Sequence, residues 1–112
     1  MPDTFDLLDL LTALEEQGRP YYEFLQRGSL SAGIYHLPAG EPDRQQPHTE
    51  DEVYYVLAGE GRIDIDGEIT SVRPGSVIFV AKHVPHSFID YSEGITLLVI
   101  FAPARGSNAP SE

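Results

Sequence analysis

The chain has 112 residues and a formal net charge of −11, with Lys82 its single lysine. That length suits one domain with one modest core, and so acidic a surface repels nucleic-acid phosphates and anionic lipid. Cysteine is absent, which removes disulfides, thiolate ligands, iron–sulfur clusters and cysteine nucleophiles together and fits a cytoplasmic location.

The opening MPDTFDLL has no basic stretch ahead of an apolar one, so no secretory signal is expected. No apolar run approaches the ~18 residues of a membrane span. Residues 4–17 read as an amphipathic helix, because Leu7, Leu11 and Leu14 recur at helical spacing with Leu8 and Leu10 beside them. Asp3 or Thr4 can cap it, Asp6 sits in its first turn, and Gly18 and Pro20 stop it. Its leucine stripe needs a partner, either the outside of the domain or a second subunit.

From Tyr21 onward the signals become those of strands, with candidates at 21–26, 30–37, 52–58, 61–66, 69–73, 76–80, 86–90 and 95–101. Asp66-Gly67 marks a two-residue hairpin and Pro74-Gly75 suits a type II turn. Asp64 and Asp66 could suggest calcium, but no ligand loop follows them and the hairpin explains both. Many short strands with regular turns imply a sandwich or barrel. The expected organisation is a helix and linker at 1–20, a β domain at 21–102 and a disordered tail at 103–112. Neither a glycine-rich phosphate loop nor a Gly-x-Ser-x-Gly elbow occurs.

Chemistry concentrates in two segments, GEPDRQQPHTEDEVYYVLAGEG from Gly40 and FVAKHVPHSF from Phe79. Gln46, His48 and Glu52 share one parity, so an extended run would turn all three toward one interior, with Tyr54 and Val56 continuing that face. Val53, Tyr55 and Leu57 take the other face, and since both faces are apolar the strand is expected to be covered on both sides. Two imidazoles, His48 and His86, with the Glu52 carboxylate and the Gln46 amide are donors that suit a divalent transition metal such as iron, manganese, nickel or zinc. Gln46 could ligate directly, act through water, or stand behind the ligands. The bland alternative for Glu52 is a salt bridge to Arg62 or Arg73. Tyr54 and Phe88 are candidate pocket walls, with plain core packing as the alternative. His36 and His83 are candidates for the pocket lining or its mouth, with a surface place as the alternative.

These segments resemble the two motifs of the cupin superfamily. Gly40, His48, Glu52 and Gly59 fall where the first motif has its glycine, second histidine, glutamate and closing glycine, and Gln46 stands where it has its first histidine. Gly75 and His86 match the second motif, while Ala81, His83 and Asp90 replace its proline, glycine and asparagine. The resemblance covers roughly residues 28–102. It implies an all-β fold, a cupin-like double-stranded β-helix (jelly-roll) barrel with a short N-terminal α-helix. It also implies one divalent transition metal inside the barrel, held by His48, Glu52 and His86 with Gln46 as the uncertain fourth. Cupins are commonly dimers, and residues 21–26 are a plausible edge element. They include dioxygenases, isomerases, decarboxylases and lyases. The expectation is therefore a metal-dependent enzyme acting on a small organic molecule, with dioxygenase first because a two-histidine, one-carboxylate set leaves positions open for oxygen. The alternative is a non-catalytic module that binds a metal or small ligand.

Overall fold

Turn chemistry sets the element boundaries. In the computed structural model, which describes residues 3–43, 45 and 47–107, one helix precedes eight strands. The order is α1 (Leu7–Gln17), β1 (Tyr21–Gln26), β2 (Ser31–Leu37), β3 (Asp51–Ala58), β4 (Gly61–Ile65), β5 (Glu68–Val72), β6 (Val77–Val80), β7 (His86–Ile89) and β8 (Ile95–Ala102). Asp66 and Gly67 have φ of 51° and 91° and close the β4–β5 hairpin. Both central residues of such a turn need positive φ, which is why aspartate and glycine stand there. Asp64 accepts a hydrogen bond from the Gly67 amide (2.9 Å), so the turn accounts for this acidic pair.

The helix starts at the first of its spaced leucines, later than the candidate caps suggest. Asp6, not Asp3 or Thr4, is the N-cap residue, and its side chain makes no capping hydrogen bond. Gly18 ends the helix in the left-handed region, its amide bonding the Leu14 carbonyl. Leu14 is buried, Leu8 is exposed, and the helix packs on β1 and β2. None of the described helices is long and apolar enough to cross a membrane.

The strands form two antiparallel sheets, β1-β2-β8-β3-β6 and β5-β4-β7. The result is a jelly-roll β fold, with β1 at a sheet edge as expected. Register aligns the inward side chains in rows: Gly33 faces Val99, Val99 faces Tyr54, and Tyr54 faces Ile78. Val56, Ile63, Val72, Val80, Phe88, Leu97 and Phe101 fill the space between the sheets. Along β3, Glu52, Tyr54 and Val56 are buried, Val53 and Leu57 are half-buried, and Tyr55 is exposed. The period-two expectation holds, but the expected cover on both faces does not. The second sheet lies on one side of β3 only, and α1 packs on β1 and β2 instead.

Residues 103–107 belong to the segment expected to be a loose tail. Ala104 is buried, the Arg105 amide donates to Ser31 Oγ (2.8 Å), and Ser107 N donates to the Ala104 carbonyl (2.9 Å). These contacts hold the start of the segment against β2. Residues 108–112 lie outside the described residues.

Candidate metal centre

The two sheets bring the donors together. Glu52 is the second residue of β3 in the larger sheet, and His86 opens β7 in the smaller one, opposite Ile65 of β4. His48 lies in the irregular run before β3. Its carbonyl accepts a hydrogen bond from the His83 amide (2.7 Å), and its ring meets Phe101 edge-on with centroids 4.9 Å apart. One donor atom from each of His48, Glu52 and His86 lies within 4.8 Å of the others. Nε2 of His86 is 2.9 Å from Glu52 Oε1, and Nε2 of His48 is 3.9 Å from the same oxygen.

Nδ1 of His86 is 2.9 Å from the Val84 carbonyl. A carbonyl only accepts, so Nδ1 carries a hydrogen, and in the neutral form of the ring the lone pair of Nε2 faces Glu52. Burial lowers the His48 pKa despite the Glu52 charge, which favours the neutral, ligating form. Burial also acts downward on His86, but the adjoining Glu52 carboxylate and the Val84 carbonyl outweigh it, and the net shift is upward.

Glu52 decides whether a metal fits. Its side chain is 2 % exposed, and neither carboxylate oxygen receives a directed hydrogen bond from a described residue. Arg62 is committed elsewhere, 3.0 Å from Asp90, and Glu52 makes no ion pair with Arg62 or Arg73. A buried carboxylate without donors is costly unless a cation offsets it. Two imidazole nitrogens and this carboxylate are a donor set that a divalent transition metal satisfies. The residues therefore fit such an ion, which His48, Glu52 and His86 would hold.

A cavity of about 380 Å³ opens beside the triad, lined in part by Tyr21, Tyr35, Gln45, His48, Tyr54 and Arg105. The Tyr54 hydroxyl is 3.0 Å from His86 Nε2 and donates to Gln45 Oε1 (2.9 Å). Burial, then the Glu52 charge, raises the Tyr54 pKa well above its usual value, so the hydroxyl keeps its proton. Phe88, expected as a wall, is instead a core residue beneath the site, its ring 4.9 Å from Tyr54. His36 lies 2.9 Å from Thr96 Oγ1 and lines a neighbouring groove rather than this cavity. His83 is exposed, with φ of 66°. The left-handed backbone there explains why glycine is the motif's usual residue.

Gln46 lies outside the described residues. Its neighbour Gln45, which the sequence reading passed over, is an amide that lines the cavity. Gln45 Oε1 is 3.4 Å from His48 Nε2, and Gln45 Nε2 donates to Asp43 Oδ2 (2.8 Å). Asp43 also accepts from the Phe88 amide (2.8 Å) and the Tyr35 hydroxyl (3.1 Å). Asp43 thus orients the Gln45 amide with its oxygen toward the histidine. The parity argument pointed past Gln45 because it assumed an extended strand back to residue 46, whereas β3 begins at Asp51.

Comparison with known proteins agrees with this geometry. Residues 33–101 match the Cupin_2 family, a cupin domain. An uncharacterised protein of Streptomyces coelicolor is 43% identical over 83 residues, spanning 74% of this chain and 79% of its own. The pectin degradation protein KdgF of Dickeya dadantii is 30% identical over 66 residues, 59% of this chain and 58% of that protein. Among solved structures, an RmlC-like cupin from Shewanella frigidimarina superposes with a TM-score of 0.69 at 28% identity, covering 77% of each chain. On the family match, the two-sheet fold and the placement of the motif residues, this chain belongs to the cupin domain family.

Proposed function

We propose that this cupin is a metal-dependent enzyme acting on a small organic molecule held in the cavity beside His48, Glu52 and His86. The observation that carries the reading is Glu52, a buried carboxylate that, with His86 neutral, has no hydrogen-bond donor among the described residues and faces two imidazole nitrogens at the edge of that cavity. A divalent metal held there supplies Lewis-acid chemistry toward a substrate oxygen or, if it is iron, oxygen chemistry. The chain's own residues do the rest. Val99 and Phe101 give the cavity apolar walls that exclude water, and Tyr54 keeps a proton at its hydroxyl within reach of His86 and Gln45. Dioxygenase is the first choice of reaction on the two-histidine, one-carboxylate set, with isomerase or lyase next. That a relative is named for pectin degradation favours an enzymatic role without selecting a substrate.

A second reading, a non-catalytic binding module, is favoured by one observation: glutamine, not histidine, stands at position 46. Elemental analysis of protein purified without chelator, followed by turnover assays on a substrate panel with and without oxygen, tests both. About one transition metal per chain with turnover supports the enzyme. Metal without turnover supports the binding module. Protein with only trace metal would sink the metal-dependent enzyme and leave only a module that binds a small ligand.

A further inference from the structure

Among the described residues, Arg105 is the one formally charged side chain on the cavity wall besides the titratable His48. It lies beyond residues 33–101, the part of the chain that matches the family. Its backbone is fixed by the bond to Ser31 Oγ, and Ser31 is fully buried. Its guanidinium carbon lies 5.2 Å from the centre of the Tyr21 ring, within cation–π range. The chain has 18 Asp and Glu against 7 Lys and Arg, yet no described carboxylate lies within ion-pair distance of Arg105. Arg105 is thus an exposed, tethered cation at the cavity with no described carboxylate within ion-pair distance.

A second observation lies beneath it. The Tyr21 hydroxyl is buried and has no hydrogen-bond partner among the described residues. The ring sits over Gly33, where an added Cβ would collide with the Tyr21 ring and hydroxyl. Burial, and then the charge of Glu23, raises the Tyr21 pKa, so the hydroxyl remains a donor. The other polar groups of this wall are already engaged: Tyr35 donates to Asp43, and the Gln45 amide joins Asp43 to Tyr54. Apart from the candidate metal donor His48, the described polar groups of this wall that remain are the N–H groups of Arg105 and the O–H of Tyr21.

We propose that Arg105 and the Tyr21 hydroxyl form a carboxylate-binding end of the cavity, so that its ligand is a small organic acid whose other end reaches His48, Glu52 and His86. A guanidinium matches a planar carboxylate with two parallel hydrogen bonds. One cation balances a single negative charge, whereas a phosphate would bring nearly two into an already acidic chain. The inference rests on the metal-site reading for the far end of the ligand, but the anion end can be measured alone.

The experiment is calorimetric titration with benzoate, its neutral isostere benzamide, and inorganic phosphate. Each is titrated into metal-loaded and chelator-treated full-length protein. Benzoate should bind both forms, and benzamide about tenfold more weakly or worse, as expected for a lost charge-assisted hydrogen bond. Arg105→Ala should lose benzoate affinity by about the same factor, Arg105→Lys should recover part of it, and Tyr21→Phe should weaken it severalfold. Arg105→Ala should hold metal as the wild type does, since Arg105 is not a metal donor. Equal benzoate affinity in wild type and Arg105→Ala, or equal affinity for benzamide, overturns the proposal. Phosphate binding tighter than benzoate overturns the carboxylate assignment. Arg105-dependent benzoate binding by a protein that retains no metal would leave this inference standing and reject the metal reading instead.

Discussion

Burying a carboxylate with no donor leaves a cost of several kcal/mol for a counter-charge to offset, and among the described residues Glu52 has no hydrogen-bond donor. Glu52→Gln should separate binding from stability. The variant should retain almost no metal, yet its chelator-treated form should be more stable than chelator-treated wild type by about 1–3 kcal/mol in urea denaturation. A less stable variant would mean that Glu52 has a structural partner. His86→Ala removes a donor from the opposite sheet. Wild type should gain about 2.7 kcal/mol of stability at a metal concentration a hundredfold above its dissociation constant, and the variant should gain almost none. Equal metal content in the two proteins would remove His86 from the site. His48, Glu52 and His86 were legible in the sequence because the motif fixes their spacing and their chemistry is specific. Gln45 was not, because its position depends on Asp43, which also binds the Phe88 amide on a distant strand.

Strand positions were legible because turn residues punctuate them: the hairpin at Asp66-Gly67 and the turn after Pro74 fall where the sequence puts them. Which face of a strand is covered was less legible. The apolar run of β3 reads alike on both sides, and only the placement of the second sheet distinguishes Tyr54 from Tyr55. The start of α1 was also misjudged, since Asp3 and Thr4 are cap-forming residues by type, yet Asp6 is the N-cap and the helix begins at Leu7, the first of the spaced leucines. Close packing between elements gives a direct test at Gly33 of β2, over which Tyr21 of β1 lies. Gly33→Ala should displace that ring and cost about 1–3 kcal/mol, as overpacking does elsewhere. Denaturation compared with Ala32→Gly on the same strand checks it. A neutral result would show that Tyr21 can leave Gly33 freely.

Over the whole molecule, the outward face of β3, β6 and β8 exposes Tyr55, Val77, Phe79 and Ile100. These side chains adjoin through the pairs Tyr55–Val77, Val53–Phe79 and Val53–Ile100, and β6 is a sheet edge. An uncharged apolar surface is where two copies of an acidic chain can meet without repulsion. The expected species in solution is a homodimer formed on this face. Light scattering should give about twice the 12.4 kDa of one chain, and Phe79→Glu should give the single-chain mass. A monomeric wild type at micromolar concentration would rule the dimer out. The metal donors have a different consequence for the molecule. Glu52 belongs to one sheet and His86 to the other, so an ion shared between them acts as a clasp on the sandwich. Hydrogen exchange should register it. Amides of β7 and β4 should exchange faster after chelation, while those of β2 and β8, paired along their full length within one sheet, should change little. Metal supply would then set how often the two layers part, and with it how readily proteases reach the interior.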